Sequence, residues 1–304
     1  MICLDDFHPL SLDDKPLFDE VYRQYPPVHS DYVFTTMISW MHYAHYHMCH
    51  HQQHILLYTT INESIRFRPP LGPPDKQVLY DVIQLSLKEG NPDTPFGMID
   101  AQQQNVIGSF YPTLSFEPHP DYFDYVYTTQ DLVALEGSPY RKIRNRLNKF
   151  INTCSYTTEV LSEKNLDEVL AFLKRWCLWK DCASHPFLKH ERQAILYAMN
   201  HYIHLGLQGL CIRVNDAIEA VAVYEQMNPS TAVIHFEKGS PDYDGIYKAI
   251  NWETAKQLQD DVQFLNRESD MGEPGLRRAK QSYRPHHQEE VYHVSRDILV
   301  QFIE

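Results

Sequence analysis

Three strand-like runs in close succession, GLCIRV, AIEAVAVYEQ and TAVIHFE, restrict the second half of this 304-residue chain to an antiparallel meander. The breaks between them are Asn215-Asp216 and Asn228-Pro229-Ser230. Residues of these types make tight turns, and tight turns join neighbouring antiparallel strands. Helices flank the meander. Asn165 is positioned to cap one whose apolar residues, Leu166, Val169, Leu170, Leu173 and Cys177, recur at the helical period. A second carries the pairs Ala194/Ile195, Ala198/Met199 and Tyr202/Ile203 and stops at Gly206. After the meander, Asp244-Gly245 opens a helix to about Gln259. The strand VQFLN, a short helix in PGLRRAKQ and a last strand, EEVYHV, complete the half.

The first half follows the same order in a different sequence. A helix from Asp31 to Met41 precedes short strands around the turn-like HHQQ. A helix from Asp75 to Lys88 leads to the strand PFGMID, and the helix AQQQNVIGSF leads to the strand DYFDYVY. An order that recurs at half the chain length points to duplication. The expected class is α/β with mixed sheets: an N-terminal domain over 1–137, a basic connecting helix over 138–152 and a C-terminal domain over 153–304.

Charge narrows the partners. The formal net charge of −13 argues against broad affinity for nucleic acid, which rests on neutralising phosphates. It is unevenly spread. Residues 1–139 hold six basic and eighteen acidic side chains, whereas the next eleven, YRKIRNRLNKF, hold five basic and none acidic. A local anion site is therefore compatible with an acidic protein. No apolar stretch reaches the roughly 20 residues of a membrane helix, and the acidic start MICLDDFHPLSLDDK lacks the pattern of a signal peptide. The six cysteines show no Cys-x-x-Cys spacing, so reduced thiols and a cytoplasmic setting are expected. His42, His45, His47, His50, His51 and His54 form a histidine-rich tract, a compositional hint only, and no functional metal is expected there.

Two segments carry the candidate chemistry. Ser138 and Pro139 suit an N-cap and first helical residue, after which Ile143, Leu147, Phe150 and Ile151 share one face. Arg141, Lys142, Arg144 and Asn145 then sit at a helix start whose free N–H groups attract anions. The alternative is a solvated basic face, or a hinge helix whose charges pair with acids of the first half. The second segment runs from Asn266 to Pro285, beginning where the strand Val262–Leu265 ends, a favoured place for ligands in α/β sheets. Glu268 and Asp270 are candidates to hold an amino group. Lys280, Arg284 and Arg267 suit a carboxylate or phosphate, with Asn266 and the Tyr283 phenol beside them. A structural ion-pair network is the competing reading. On the third meander strand His235 and Glu237 share a face, and either is a candidate base, against a purely structural role in which Glu237 pairs with an arginine.

The runs YRKIRNRLNKF, HFEKGSPDYDGIYKAIN and FLNRESDMGEPGLRRAKQSYRP, preceded by SDYVFTTMISW and DYVYTTQDLVALEGSPY, resemble the uncharacterised family related to the C-terminal domain of phosphatidylglycerol lysyltransferases. The resemblance covers nearly the whole chain. It implies two tandem GNAT-like acyltransferase folds with a ligand site in the second. It also implies transfer of an amino acid from aminoacyl-tRNA to a lipid headgroup or small-molecule acceptor, through a transient tRNA contact. On that resemblance Glu268 and Lys280 are the functional positions, and Arg141, Lys142 and Arg144 contact the anionic group. GNAT enzymes that use coenzyme A hold its pyrophosphate on a Gly-rich loop, and here that position reads Ser240-Pro241-Asp242-Tyr243-Asp244-Gly245. Asp244 as N-cap would occupy the helix donors and Asp242 would repel phosphate, so no cofactor is expected. A non-catalytic binding module on the same fold and a coenzyme A-dependent N-acetyltransferase are the alternatives.

Overall fold

The computed structural model describes residues 2–301. The chain divides into two compact units, residues 1–123 with 289–304, and residues 124–288. Each holds a seven-stranded, mostly antiparallel sheet and its own apolar core.

In the first unit the strands His47–His51, His54–Ile61 and Ser64–Phe67 form a meander. The helix Lys76–Glu89 follows, capped by the Asp75 carboxylate, which accepts from the N–H groups of Gln77 and Val78. It buries Val78, Leu79, Val82, Ile83 and Leu85 and delivers the strand Phe96–Asp100 parallel to Ser64–Phe67. The second unit repeats this with Gln208–Val214, Ala217–Asn228 and Thr231–Gly239, then the helix Ile246–Leu258, then Phe264–Asn266 parallel to Thr231–Gly239.

Two strands lie in the opposite unit from the one their sequence position suggests. The residues of DYFDYVY supply Asp124–Thr128, which pairs antiparallel with Phe264–Asn266 in the second unit. EEVYHV supplies Val291–Val294, which pairs antiparallel with Phe96–Asp100 in the first. In each case a buried strand beyond the parallel pair needs a partner for its outer N–H and C=O groups, and the partner comes from a distant part of the chain. The expected boundaries at 137 and 153 therefore move to 123 and 288.

The basic segment is not a connector. Its helix is Arg141–Thr153, and Ile143, Leu147 and Phe150 belong to the second unit's core. It starts two residues later than Ser138-Pro139 would place it, with Tyr140 at the N-cap position. The helix Ile246–Leu258 packs close against it at Gly245, where a Cβ would clash with the Arg146 carbonyl oxygen. Gly245 also has φ +97°, so glycine is required there twice over. Gly245 is the N-cap of that helix, in place of the expected Asp244, whose carboxylate instead pairs with Lys149 at 2.8 Å.

Cys177 and Cys182 are joined as a disulfide, contrary to the expectation of reduced thiols throughout. The chain reverses after the helix Leu166–Trp179, with Asp181 in the left-handed region, and the two Cα atoms come within 5.2 Å.

Candidate functional site

Pairing of the two long meander strands steps at Val223/Tyr224, where Val223 faces Phe236 and Tyr224 faces Ile234. His235 is the extra residue of this bulge, and bulges re-aim side chains. Its buried ring lies between two carboxylates, with Nδ1 3.1 Å from Glu268 and Nε2 2.9 Å from Glu225. Burial by itself would favour neutral imidazole, but the hydrogen bonds and charges of Glu225 and Glu268 outweigh it and push the pKa up to about 9. His235 is thus an imidazolium that donates from both nitrogens. It has no lone pair for the base role considered from sequence.

Glu237 is similarly engaged. It accepts from Asn251 Nδ2 at 3.1 Å and pairs with Arg267 Nη2. The Arg267 guanidinium lies over the rings of Tyr127 and Tyr283, 5.7 and 4.9 Å from their centroids. Burial works against its charge, but Glu237 and the two phenols raise its pKa further. Asp270, fully buried, is saturated: it accepts from Tyr125 Oη at 2.6 Å, Arg277 Nε and Nη2 at 2.7 and 2.8 Å, and Gly272 N at 2.9 Å. It is not available for an amino group. Asn266 donates to Asp124 at 2.7 Å and accepts from the Glu268 N–H at 2.8 Å, which fixes the left-handed turn at Glu268.

Lys280 is buried on the helix Pro274–Ser282 and donates to the carbonyl oxygens of Arg267 and Glu268. Burial, helped by the nearby Arg267 charge, lowers its pKa to about 8. Burial raises that of Glu268, against the pull of His235. Lys280 and Glu268 are therefore brought together.

Beside this network lies a cavity of about 830 Å³ lined by Ser138, Pro139, Arg141, Lys142, Ile143, Asn145, Arg146, Lys248, Ser282 and Arg284. Five cationic side chains and no carboxylate line it. Lys248 lies 4.4 Å from the centroid of Tyr283, the ring that Arg267 also covers, so one phenol separates the cavity wall from the buried network. Burial and the charges of Arg267 and Arg146 lower the Lys248 pKa to about 8. Five cations converging on one cavity form a field suited to a multiply charged anion.

Of the residues expected on the anion, Arg141, Lys142, Asn145 and Arg284 line the cavity and Arg144 does not. Arg144 Nη1 is spent on the carbonyls of Leu135 and Gly137, closing the turn before the helix. On the helix Arg144 lies only about 60° from Arg141, so its exclusion was not legible in the sequence and rests on these two contacts. Arg146, inside the basic run, was overlooked in favour of Arg144. Lys248 had the weaker signal of a lone lysine on an otherwise apolar helix face. Glu225, Asp124 and Arg277 had none, because their roles depend on long-range pairing. Within the histidine tract, His47 stacks on Tyr58 with centroids 4.6 Å apart, and His45 is left-handed at a helix end. Among the described residues no group of three His, Cys, Asp or Glu side chains is placed to hold a metal ion, and no helix is long and apolar enough to cross a membrane.

The doubled pattern of meander, helix and parallel strand defines two tandem GNAT-like acyltransferase folds. The chain belongs to the family described as phosphatidylglycerol lysyltransferase, C-terminal, whose model matches residues 22–295. Among solved structures it is similar to a conserved protein of unknown function from Bacteroides thetaiotaomicron, 27% identical, covering 95% of this chain and 98% of that one with a TM-score of 0.86. It is also similar to the C-terminal domain of a putative lysylphosphatidylglycerol synthetase from Agrobacterium fabrum, 14% identical, TM-score 0.64, covering 96% of each chain. L-PGS from Bacillus licheniformis is 12% identical, TM-score 0.62, with 95% of this chain and 96% of that one covered. No curated protein matches.

The imidazolium form of His235 has a measurable consequence. Its folded pKa lies above the ordinary value of 6.5, so its stabilisation is complete below pH 6.5 and is lost as pH rises through about 9. The gap corresponds to roughly 3 kcal/mol. Lys280 acts in the opposite sense, since its lowered pKa penalises the fold below about pH 8 and that penalty is relieved as pH rises towards 10.5. Comparing wild type with His235→Gln cancels the Lys280 contribution. The stability difference measured by urea denaturation should shrink between pH 6.5 and 9, and a constant difference would show that the histidine is neutral.

Proposed function

We propose that the second unit transfers an aminoacyl group from aminoacyl-tRNA to a hydroxyl near a phosphate, as on a phosphatidylglycerol headgroup. The single observation that carries this reading is the cavity with five cations and no acid, where one ring, Tyr283, separates Lys248 from Arg267 of the buried network that also holds Lys280. Arg141, Lys142, Arg146, Lys248 and Arg284 hold the phosphate. Lys280, in its neutral form, takes the proton of the attacking hydroxyl and returns it to the departing ribose oxygen, as the acyl carbon forms its bond to the acceptor oxygen and breaks its bond to the ribose oxygen. Glu268, oriented by His235, carries the Lys280 contact through its backbone carbonyl. Positioning and electrostatics supply most of the acceleration, with no covalent intermediate. The reading takes no coenzyme A, since the exposed carboxylates Asp242 and Asp244 flank the turn that would meet its pyrophosphate.

Incubation with lysyl-tRNA carrying labelled lysine and phosphatidylglycerol micelles tests it. Label should enter the lipid fraction, and Lys280→Met should slow this about 100-fold or more, the range of general acid–base catalysis. Full activity in Lys280→Met removes that residue from the chemistry. Micelle binding without transfer makes the unit a binding module.

A further inference from the structure

Away from the cavity, the helix Leu166–Trp179 ends in the most exposed large apolar side chain among the described residues, Leu178, 81% exposed, with Trp179 beside it at 40%. The disulfide closes the turn immediately below them. Ala183 and Pro186 are also exposed, and Phe187 and Leu188 are half-buried at the start of the helix Pro186–Asn200. Trp179 is held on edge by Phe172, its centroid 6.4 Å away, and by the Arg175 guanidinium 5.8 Å from its ring. The apolar tip is thus a constrained hairpin.

Its surroundings run against the charge of the chain. Residues 172–192 contain five basic and two acidic side chains in a protein of net charge −13. Lys174, Lys180, Lys189 and Arg192 are exposed around the tip. Arg175 is offset by Glu219 at 3.7 Å, and Glu191 is taken by Lys238 at 2.7 Å, which leaves Asp181 as the one exposed carboxylate of the segment. Asp167 and Glu168 begin the same helix, more than ten residues away. At 1.5 Å per residue that exceeds the Debye length of about 8 Å in physiological salt, so the local charge governs what meets the tip.

We propose that this hairpin tip docks the protein on an anionic lipid surface, with Leu178 and Trp179 entering the headgroup boundary and the four cations pairing with lipid phosphates. A leucine, a tryptophan and a ring of lysine and arginine match both halves of such an interface, apolar at depth and negative at the surface. The surface goes beyond the transfer reading, to which it would add delivery of the acceptor. Binding is measured without turnover, so either can fail alone.

Flotation of the purified chain is run with vesicles of phosphatidylcholine and with an equimolar mixture of phosphatidylcholine and phosphatidylglycerol. The chain should float with the mixed vesicles only, and less as salt rises. Leu178→Glu, at a side chain with almost no packing to lose, should weaken partitioning at least about tenfold, the scale of one leucine withdrawn from an apolar medium. Lys180→Glu with Lys189→Glu should do the same, whereas Lys88→Glu, an exposed charge reversal in the first unit, should float like wild type. Undiminished flotation of Leu178→Glu overturns the proposal, as does an equal loss in Lys88→Glu. Failure to float combined with self-association that Leu178→Glu abolishes in sedimentation would assign the tip to a second copy of the chain instead.

Discussion

Reversing two charges in the cavity, Arg146→Glu with Lys248→Glu, is expected to abolish pyrophosphate binding and to reduce transfer by about 100-fold or more. A charge pair about 4 Å apart at an effective dielectric constant near 20 is worth about 4 kcal/mol. The double variant turns two such attractions into repulsions, and screening at the partly open wall reduces the total. Arg146 is exposed and Lys248 half-buried, so folding should survive, to be checked by an unchanged far-ultraviolet spectrum. The readout is the shift in melting temperature with added pyrophosphate, since a ligand stabilises the state it binds. Equal shifts in variant and wild type would show that anions bind elsewhere, and the transfer reading would lose its carrying observation. Arg144→Ala should leave the shift intact while lowering stability, because its guanidinium closes a turn.

A second large effect is expected from Asp270→Ala, a loss of about 3–5 kcal/mol, the usual cost of breaking one side of a buried ion pair. The carboxylate accepts four hydrogen bonds within 2.9 Å, and removing it leaves the Tyr125 hydroxyl and the Gly272 N–H without this acceptor and takes the buried half of the ion pair from Arg277. Those donors hold the Asp270 pKa below its ordinary 3.8 despite burial. Its contribution is therefore present above about that pH and is lost as the pH falls below it. Urea denaturation at neutral pH measures the loss. A change under about 1 kcal/mol would mean that the loop Arg267–Glu273 is held by something other than this carboxylate. Such stability is comparable to a sizeable part of a domain's total, so the variant should also lose the Lys280 contacts that the loop provides.

How far these sites were legible follows from the range of the interactions that make them. The meander, its turns at Asn215-Asp216 and Asn228-Pro229-Ser230, and the helices around it were readable because periodicity and turn chemistry act over a few residues. The helix Ala101–Phe110 matches its reading end to end, fixed by the Asp100 and Gln103 capping box. Arg141, Lys142 and Arg284 were nameable as cations of a cavity because local charge density is a sequence property. The division of the chain was not readable in this way. Asp124–Thr128 and Val291–Val294 each leave their neighbours in sequence to complete a sheet more than a hundred residues away, and strand pairing carries no local signature of its partner. Nor could sequence separate a free acid from a saturated one. Glu237, Asp270 and His235 are polar letters in a string until Arg267, Arg277, Glu225 and Glu268 arrive beside them. Sequence determined which segments fold and where positive charge gathers. The tertiary structure alone decided which charges are already paired inside the protein, because burial raises the cost of every charge left without a partner.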